Sequence, residues 1–192
     1  SELFFWKPKI TNEPTHVLEN MKFKHVAATK DGYLLLIDVD GNLYHYGKML
    51  RVSQYYIFAD SLELISNDIK FKFASVSKTH VLAISQDDNL YGWGNNEFNC
   101  LGGNNSFYEE PYQLTTNSNI LTCANMDGFT SAFITKEGCL YTWGAFQDCV
   151  GHPEIKRGTS ISIPVPRKIQ GLENLVDVYM TYCTFVIDKD GV

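Results

Sequence analysis

The sequence predicts an all-β fold, a β-propeller of four-stranded blades with a period of about 50 residues. Three observations predict it. The first is a recurring motif that ends in glycine: Asp40 to Gly47 reads DGNLYHYG, Asp87 to Gly94 reads DDNLYGWG and Glu137 to Gly144 reads EGCLYTWG. Gly47, Gly94 and Gly144 are 47 and 50 residues apart, in the range of propeller blades, and Asp190-Gly191-Val192 begins a further copy. The second is a pair of short apolar runs upstream of each motif. The third is an aromatic content of 14%, with 11 Tyr and 12 Phe, residue types that suit a pleated surface.

Each unit justifies its strands in order. A first strand carries small residues, Ala27, Ala74 and Ala124, which suit the crowded centre where inner strands converge. A second strand is nearly continuously apolar, as at Val81-Leu82-Ala83-Ile84, the pattern of a strand buried on both faces. A two-residue turn is expected next, at Asp40-Gly41, Asp87-Asp88, Glu137-Gly138 and Asp190-Gly191, because Gly takes positive φ freely and Asp tolerates it. The LYxWG run is the third strand. Pro14 to Val17, Pro111 to Leu114 and Pro164 to Ile169 read as outer strands, where an unpaired edge tolerates Pro. Leu3-Phe4-Phe5-Trp6 resembles the third strand of a unit. The chain therefore divides into the last strands of one blade (1–22), three fuller blades (23–70, 71–119 and 120–174) and the first strands of another (175–192).

The recurring Trp93, Trp143 and Tyr46 are expected in core or inter-blade packing, because they return at the structural period. His80 stands where the other copies have Tyr33, Thr130 and Cys183, and it reads as a hydrogen-bonded structural residue.

Composition narrows the function. With 44% hydrophobic and 20% charged residues the chain is ordinary for a globular domain. The net charge is −6, and Lys156, Arg157, Arg167 and Lys168 are diluted by Pro and Ser, so no dominant nucleic-acid surface is expected. Five cysteines, an odd count without CxxC, read as reduced thiols in an intracellular compartment, cytoplasmic or nuclear, with an organelle matrix also open. The longest aliphatic run, Leu34 to Ile37, is far short of a membrane span. Asn104-Asn105-Ser106 is a chance sequon in that setting.

Chemical motifs are sparse. No phosphate loop, nucleophile elbow or HExxH is present. Cys149 and His152 form one CxxH with no second pair, so no metal or cofactor is expected. Asp38-Val39-Asp40-Gly41 and Asp188-Lys189-Asp190-Gly191 faintly resemble calcium loops. In register with Gly41, however, the first ligand position falls on Leu36 and the twelfth on Gly47, where Glu is required, so both read as hairpin turns.

The run from Val76 through His80-Val81-Leu82-Ala83-Ile84 and Asn89-Leu90-Tyr91-Gly92-Trp93-Gly94 to Asn95-Asn96-Glu97-Phe98-Asn99-Cys100-Leu101-Gly102 resembles the repeat of the regulator of chromosome condensation. That family has a His before an aliphatic strand, an aromatic-Trp-Gly strand and an Asn-rich turn ending Leu-Gly. Phe71 to Leu114 is the best copy and Ile120 to Ile169 a good one, with GAFQDCVG in place of the turn. Phe23 to Leu64 is degenerate, since KMLRV follows Gly47. The resemblance implies an arc of a seven-bladed propeller. A fragment of a longer propeller is expected over a four-bladed ring closed by the half-blades.

No catalytic constellation is visible, so function is expected on rim loops. Asn95 to Asn99, Gly103 to Glu110 and Phe146 to Arg157 stand out, with Asn96, Glu97, Phe98, Phe107, Tyr108, Phe146 and Asp148 as candidate protein-binding residues. Aromatics flanked by charge are interface anchors, although any one such loop is ordinarily only solvated. The resemblance implies a protein-interaction scaffold that is not an enzyme. The alternatives are a guanine-nucleotide exchange factor for a Ran-like small GTPase, acting without a covalent step, and a chromatin- or RNA-associated subunit, which the charge disfavours.

Overall fold

The computed structural model describes residues 3–7, 11–17, 21–52, 55–66, 68–115, 119–126, 128–145, 147–153 and 162–190. The apolar runs, the LYxWG motifs and the Pro-marked segments become antiparallel strands paired in chain order. β1 (Leu3–Lys7) and β2 (Thr11–Val17) form a two-stranded sheet. Three four-stranded sheets follow: β3 (Phe23–Ala28), β4 (Leu34–Asp38), β5 (Leu43–Val52) and β6 (Tyr55–Ser66); β7 (Phe71–Val76), β8 (His80–Ser85), β9 (Leu90–Asn95) and β10 (Phe107–Gln113); then β11 (Ile120–Met126), β12 (Thr130–Thr135), β13 (Leu140–Gly144) and β14 (Ile163–Lys168). A single helical turn, α1 (Gln147–Val150), connects β13 towards β14. β15 (Leu175–Met180) and β16 (Thr184–Asp188) make a second two-stranded sheet. This is the expected architecture of three full blades and two half-blades.

The core lies between successive sheets. The second strands of the three full sheets are buried along almost their whole length, β8 completely, as their apolar character requires, whereas β16 of the last sheet alternates half-buried and exposed. Leu35, Ile37 and Leu43 of the first full sheet meet Phe71, Val81 and Trp93 of the second. Leu82, Ile84 and Leu90 of the second meet Cys123, Phe133 and Trp143 of the third. Ile134 and Leu140 of the third meet Leu175 and Val178 of the last. In the LYxWG strand, therefore, Leu faces the following sheet and Trp the preceding one, on opposite faces of the pleat. Phe133 and Trp143 pack edge to face at 5.8 Å. Trp93 and Trp143 are core residues, whereas Tyr46, at the same repeat position, is 43% exposed.

The hairpin turns differ from the two-residue form expected from sequence. Asp38, Ser85 and Thr135 donate their N–H groups to the carbonyls of Asn42, Asn89 and Cys139, at 3.0, 2.9 and 3.0 Å, which encloses three residues. The third of these adopts positive φ: Gly41 at 89°, Asp88 at 64° and Gly138 at 80°. A three-residue turn of this kind ends in a left-handed residue and matches the strand twist. It also stitches the sheets together. The carbonyls of Gly41, Asp88 and Gly138 accept the N–H of Phe71, Ile120 and Leu175, the first residue of each following sheet, at 2.8, 3.1 and 3.2 Å.

A second set of links runs along the opposite rim. The Ser131 hydroxyl donates to the Cys100 carbonyl at 2.6 Å, and the Thr184 hydroxyl donates to the Cys149 carbonyl at 2.7 Å. Cys100 and Cys149 belong to the connections that follow β9 and β13. The first full sheet lacks that connection, because β5 runs on past Gly47 and returns through β6 as a long hairpin. The residue of the second sheet equivalent to Ser131 and Thr184 is Val81, which has no hydroxyl to offer. The degenerate repeat thus has a matching change in its neighbour.

Candidate functional site

The sheets fan outward from their first strands, so the loops joining first to second strands gather at one rim. Thr29 to Asp31, Ser77 to Thr79, Gly128-Phe129 and Thr181-Tyr182 lie there with the turn after β9, around an open concavity of about 850 Å³. Its floor is Val76, Asn125, Met126 and Met180, its walls carry Phe98, Phe129 and Tyr182, and its charged groups are Lys30, Asp31, Lys78 and Glu97.

Asn96 builds the turn that presents Glu97 and Phe98. Its buried amide donates to the carbonyls of Gly102 and Asn105, at 2.7 and 2.8 Å, and its Oδ1 accepts the Leu101 N–H at 2.7 Å. Asn95 adds a local clamp: its Oδ1 accepts the Glu97 N–H at 3.0 Å and its Nδ2 donates to Glu97 Oε2 at 3.1 Å. These bonds satisfy backbone groups that a turn would otherwise leave open. Phe98 then lies against Phe129 of the next sheet, with ring centroids 4.8 Å apart and planes tilted by 46°.

The sequence candidates therefore separate. Glu97 and Phe98 line the concavity, and Asn96 lies beneath them, its side chain committed to the turn. Phe107 and Tyr108 stand on the outer strand β10 and do not line it. Tyr108 stacks on Tyr112 at 4.6 Å and leans on the inter-sheet cores. Phe146 lies outside the described residues, as do Lys156, Arg157, Gly191 and Val192; Asp148 belongs to α1, with its side chain outside the description. Sequence reasoning missed Phe129, Tyr182, Lys30, Lys78, Met126 and Met180. The signal was the repeat register itself: Gly32, Thr79, Phe129 and Tyr182 each directly precede position 33, 80, 130 or 183 of the aligned copies.

The buried histidine and thiol groups are engaged structurally. His80 is fully buried. Because Ser131 donates its proton to Cys100, its oxygen accepts from His80 Nε2 at 3.0 Å, and Nδ1 accepts from the Ser77 hydroxyl at 3.0 Å. Burial pushes the imidazole pKa down to about 3, so the ring is neutral. Asn125 Nδ2 donates to the His80 carbonyl at 2.8 Å. Burial raises the thiol of Cys100 to about 12 and raises that of Cys123 as well, so neither supplies a thiolate. The Cys149 thiol lies 3.7 Å from Met126 Sδ and from the Thr181 carbonyl oxygen, while His152 Nε2 lies 3.1 Å from Thr142 Oγ1. The Asp38 carboxylate accepts the N–H groups of Asp40 and Asn42, at 2.9 and 2.8 Å, as a turn residue does. Among the described residues, no group of three His, Cys, Asp or Glu could hold a metal ion.

The comparisons with known proteins agree with this geometry. Prp20p from Saccharomyces cerevisiae matches with a TM-score of 0.75 at 20% identity, over 95% of this chain and 47% of that one. The chain folds as an arc of an RCC1-type propeller. Yeast RCC1 (Prp20) in its complex with Kap60 matches with a TM-score of 0.74 at 18% identity, over 95% of this chain and 46% of that one. Human WBSCR16 matches with a TM-score of 0.72 at 17% identity, over 94% and 49%. The chain thus spans about half the length of these RCC1-type structures. No family model matches it.

Proposed function

We propose that the protein is an interaction scaffold that binds a protein partner through the rim concavity. One observation carries this reading. The rim loops of three successive repeats hold Phe98 and Glu97, Phe129, and Tyr182 around one hollow, while the second strands of the full sheets and the two motif tryptophans are spent inside the sheets. Exposed aromatics beside charge, gathered over a soft methionine floor, are the composition of an interface centre. The site on this reading is Glu97 and Phe98 of the sequence candidates, with Asn96 as support. The scaffold is intracellular, cytoplasmic or nuclear, in keeping with the thiol usage.

The test is capture of the partner by the full-length protein. Phe98→Ala with Tyr182→Ala should abolish it, and Tyr112→Ala, on the exposed outer strand, should not. Undiminished capture by the double variant would overturn the reading.

A second reading is favoured by the structural neighbours. The Prp20p structure is described together with its binding to Gsp1p and histones. On this reading the partner at the rim is a small GTPase, and the protein accelerates nucleotide release with no covalent step. Adding the full-length protein to a Ran-type GTPase loaded with labelled GDP should speed release; an unchanged rate at micromolar protein would exclude it.

A further inference from the structure

We propose that the concavity anchors a cationic side chain, an Arg or Lys presented by a segment of the partner, against the aromatic faces of Phe98, Phe129 and Tyr182 beside the Glu97 carboxylate. The inference rests on the rim reading above and names the chemistry of its occupant.

The aromatic rings are not demanded by the fold. Phe98, Phe129 and Tyr182 are 41%, 36% and 79% exposed. The position of Phe129 and Tyr182 is Gly32 and Thr79 in the first two full repeats, so the loop forms without a ring there. The two aromatics nonetheless stand on adjacent repeats at the same height of the rim, and Phe98 reaches across to pack on the first of them at 4.8 Å. Aromatic faces carry a negative quadrupole and attract a cation placed over them.

The turn that carries Phe98 also carries an anion. Glu97 is exposed, directly precedes Phe98 and lines the same concavity, and the 3.1 Å bond from Asn95 Nδ2 to Oε2 fixes its carboxylate on that turn. The other charged groups lining the concavity are Lys30, Asp31 and Lys78. Lys30 and Asp31 belong to the first full repeat, Lys78 to the second, the repeat that also carries Glu97 and Phe98, and Phe129 and Tyr182 to the next two. Lys30 and Asp31 are consecutive and of opposite sign. Over the whole chain the net charge is −6, which steers a basic segment inward from a distance. Met126 and Met180 on the floor suit the aliphatic stem of a long cationic side chain.

The test uses the full-length protein and three fluorescein-labelled Gly-Ser peptides that differ only at two central residues: Arg-Arg, norleucine-norleucine or Glu-Glu. Fluorescence anisotropy should show the Arg-Arg peptide binding at least about fivefold tighter than the norleucine peptide, a ratio of the size one cation–aromatic contact supplies. Raising the salt from 0.05 to about 0.5 M should erode that preference. Glu97→Gln, an exposed change that keeps the side chain's shape, should remove most of it, and Phe129→Ala with Tyr182→Ala the rest. Equal or tighter binding of the norleucine peptide overturns the proposal in favour of an apolar anchor. Tighter binding of the Glu-Glu peptide overturns it in favour of recognition by Lys30 and Lys78. Failure of all three peptides to bind at millimolar concentration also overturns it. None of these outcomes touches the rim reading, which stands or falls on partner capture by the Phe98 and Tyr182 variants.

Discussion

His80 Nε2 donates a hydrogen bond to Ser131 Oγ across 3.0 Å, joining the second full sheet to the third in a site closed to solvent. The bond is one link of a chain: Ser77 to His80, His80 to Ser131, and Ser131 to the Cys100 carbonyl. Each buried polar group in it is satisfied by the next. Removing the imidazole breaks the link between the two sheets, although Ser77 keeps the His80 carbonyl at 3.0 Å and Ser131 keeps the Cys100 carbonyl, and it opens a cavity. His80→Ala should therefore destabilise the protein by about 3 kcal/mol or more, and Ser131→Ala by about 1–2 kcal/mol. Urea unfolding of the single and double variants checks this; a coupling energy near zero in the double-mutant cycle would show that the contact contributes nothing.

The same residue makes stability depend on pH. A histidine in the unfolded chain titrates near 6.5, whereas His80 in the folded protein titrates at about 3. Between these values the unfolded chain holds a proton that the folded chain does not. The stabilisation is complete above about pH 6.5, is lost progressively on acidification, and stops changing below about pH 3, with a slope of at most about 1.4 kcal/mol per pH unit. His45 acts in the same direction: burial lowers its pKa, and Glu63, 3.5 Å away, opposes that in part. Urea midpoints between pH 8 and pH 4 should fall steeply in the parent protein and less steeply in His80→Gln.

Two glycines of positive φ separate backbone strain from steric clash. Gly32 has φ 90° and open space where a Cβ would stand. Gly144 has φ 116°, and a Cβ there would lie 2.1 Å from the Phe129 carbonyl oxygen. Gly32→Ala should cost about 1–2 kcal/mol, the penalty of a left-handed backbone alone. Gly144→Ala should cost at least about 3 kcal/mol, because the rigid neighbour is backbone and the strand must move. Thermal unfolding of the two variants ranks them, and equal losses would refute the close approach.

The turn after β9 divides support from contact. Asn96→Ala removes three side-chain hydrogen bonds to backbone groups and should lower stability by about 2–3 kcal/mol. Glu97→Gln is exposed and should change stability by less than about 0.5 kcal/mol. If the rim is the binding surface, both weaken partner capture, and only Asn96→Ala also shifts the urea midpoint.

The strands were legible because each repeat states its periodicity locally. Phe71–Val76, His80–Ser85 and Leu90–Asn95 are readable from apolar runs, a turn residue and the LYGWG motif, and the copies reinforce one another. β6 was hidden for the converse reason. It lacks the proline that marks the other outer strands, and its pairing with β5 is a contact that the repeat pattern does not encode.

By itself the sequence determined the all-β class, the period, the burial of Trp93 and Trp143, and the structural role of His80. These follow from alternation, turn chemistry and recurrence, which act over a few residues. Only the tertiary structure decided that Phe98 would meet Phe129, a partner 31 residues away on another sheet, and that Tyr182 would line the same hollow. It decided likewise that Asn96 would turn inward, that Phe107 and Tyr108 would stand on an outer strand, and that the turn closing each hairpin would be three residues long. The physical reason is that the angle between neighbouring sheets is set by the packing of their faces, and that angle chooses which loops converge.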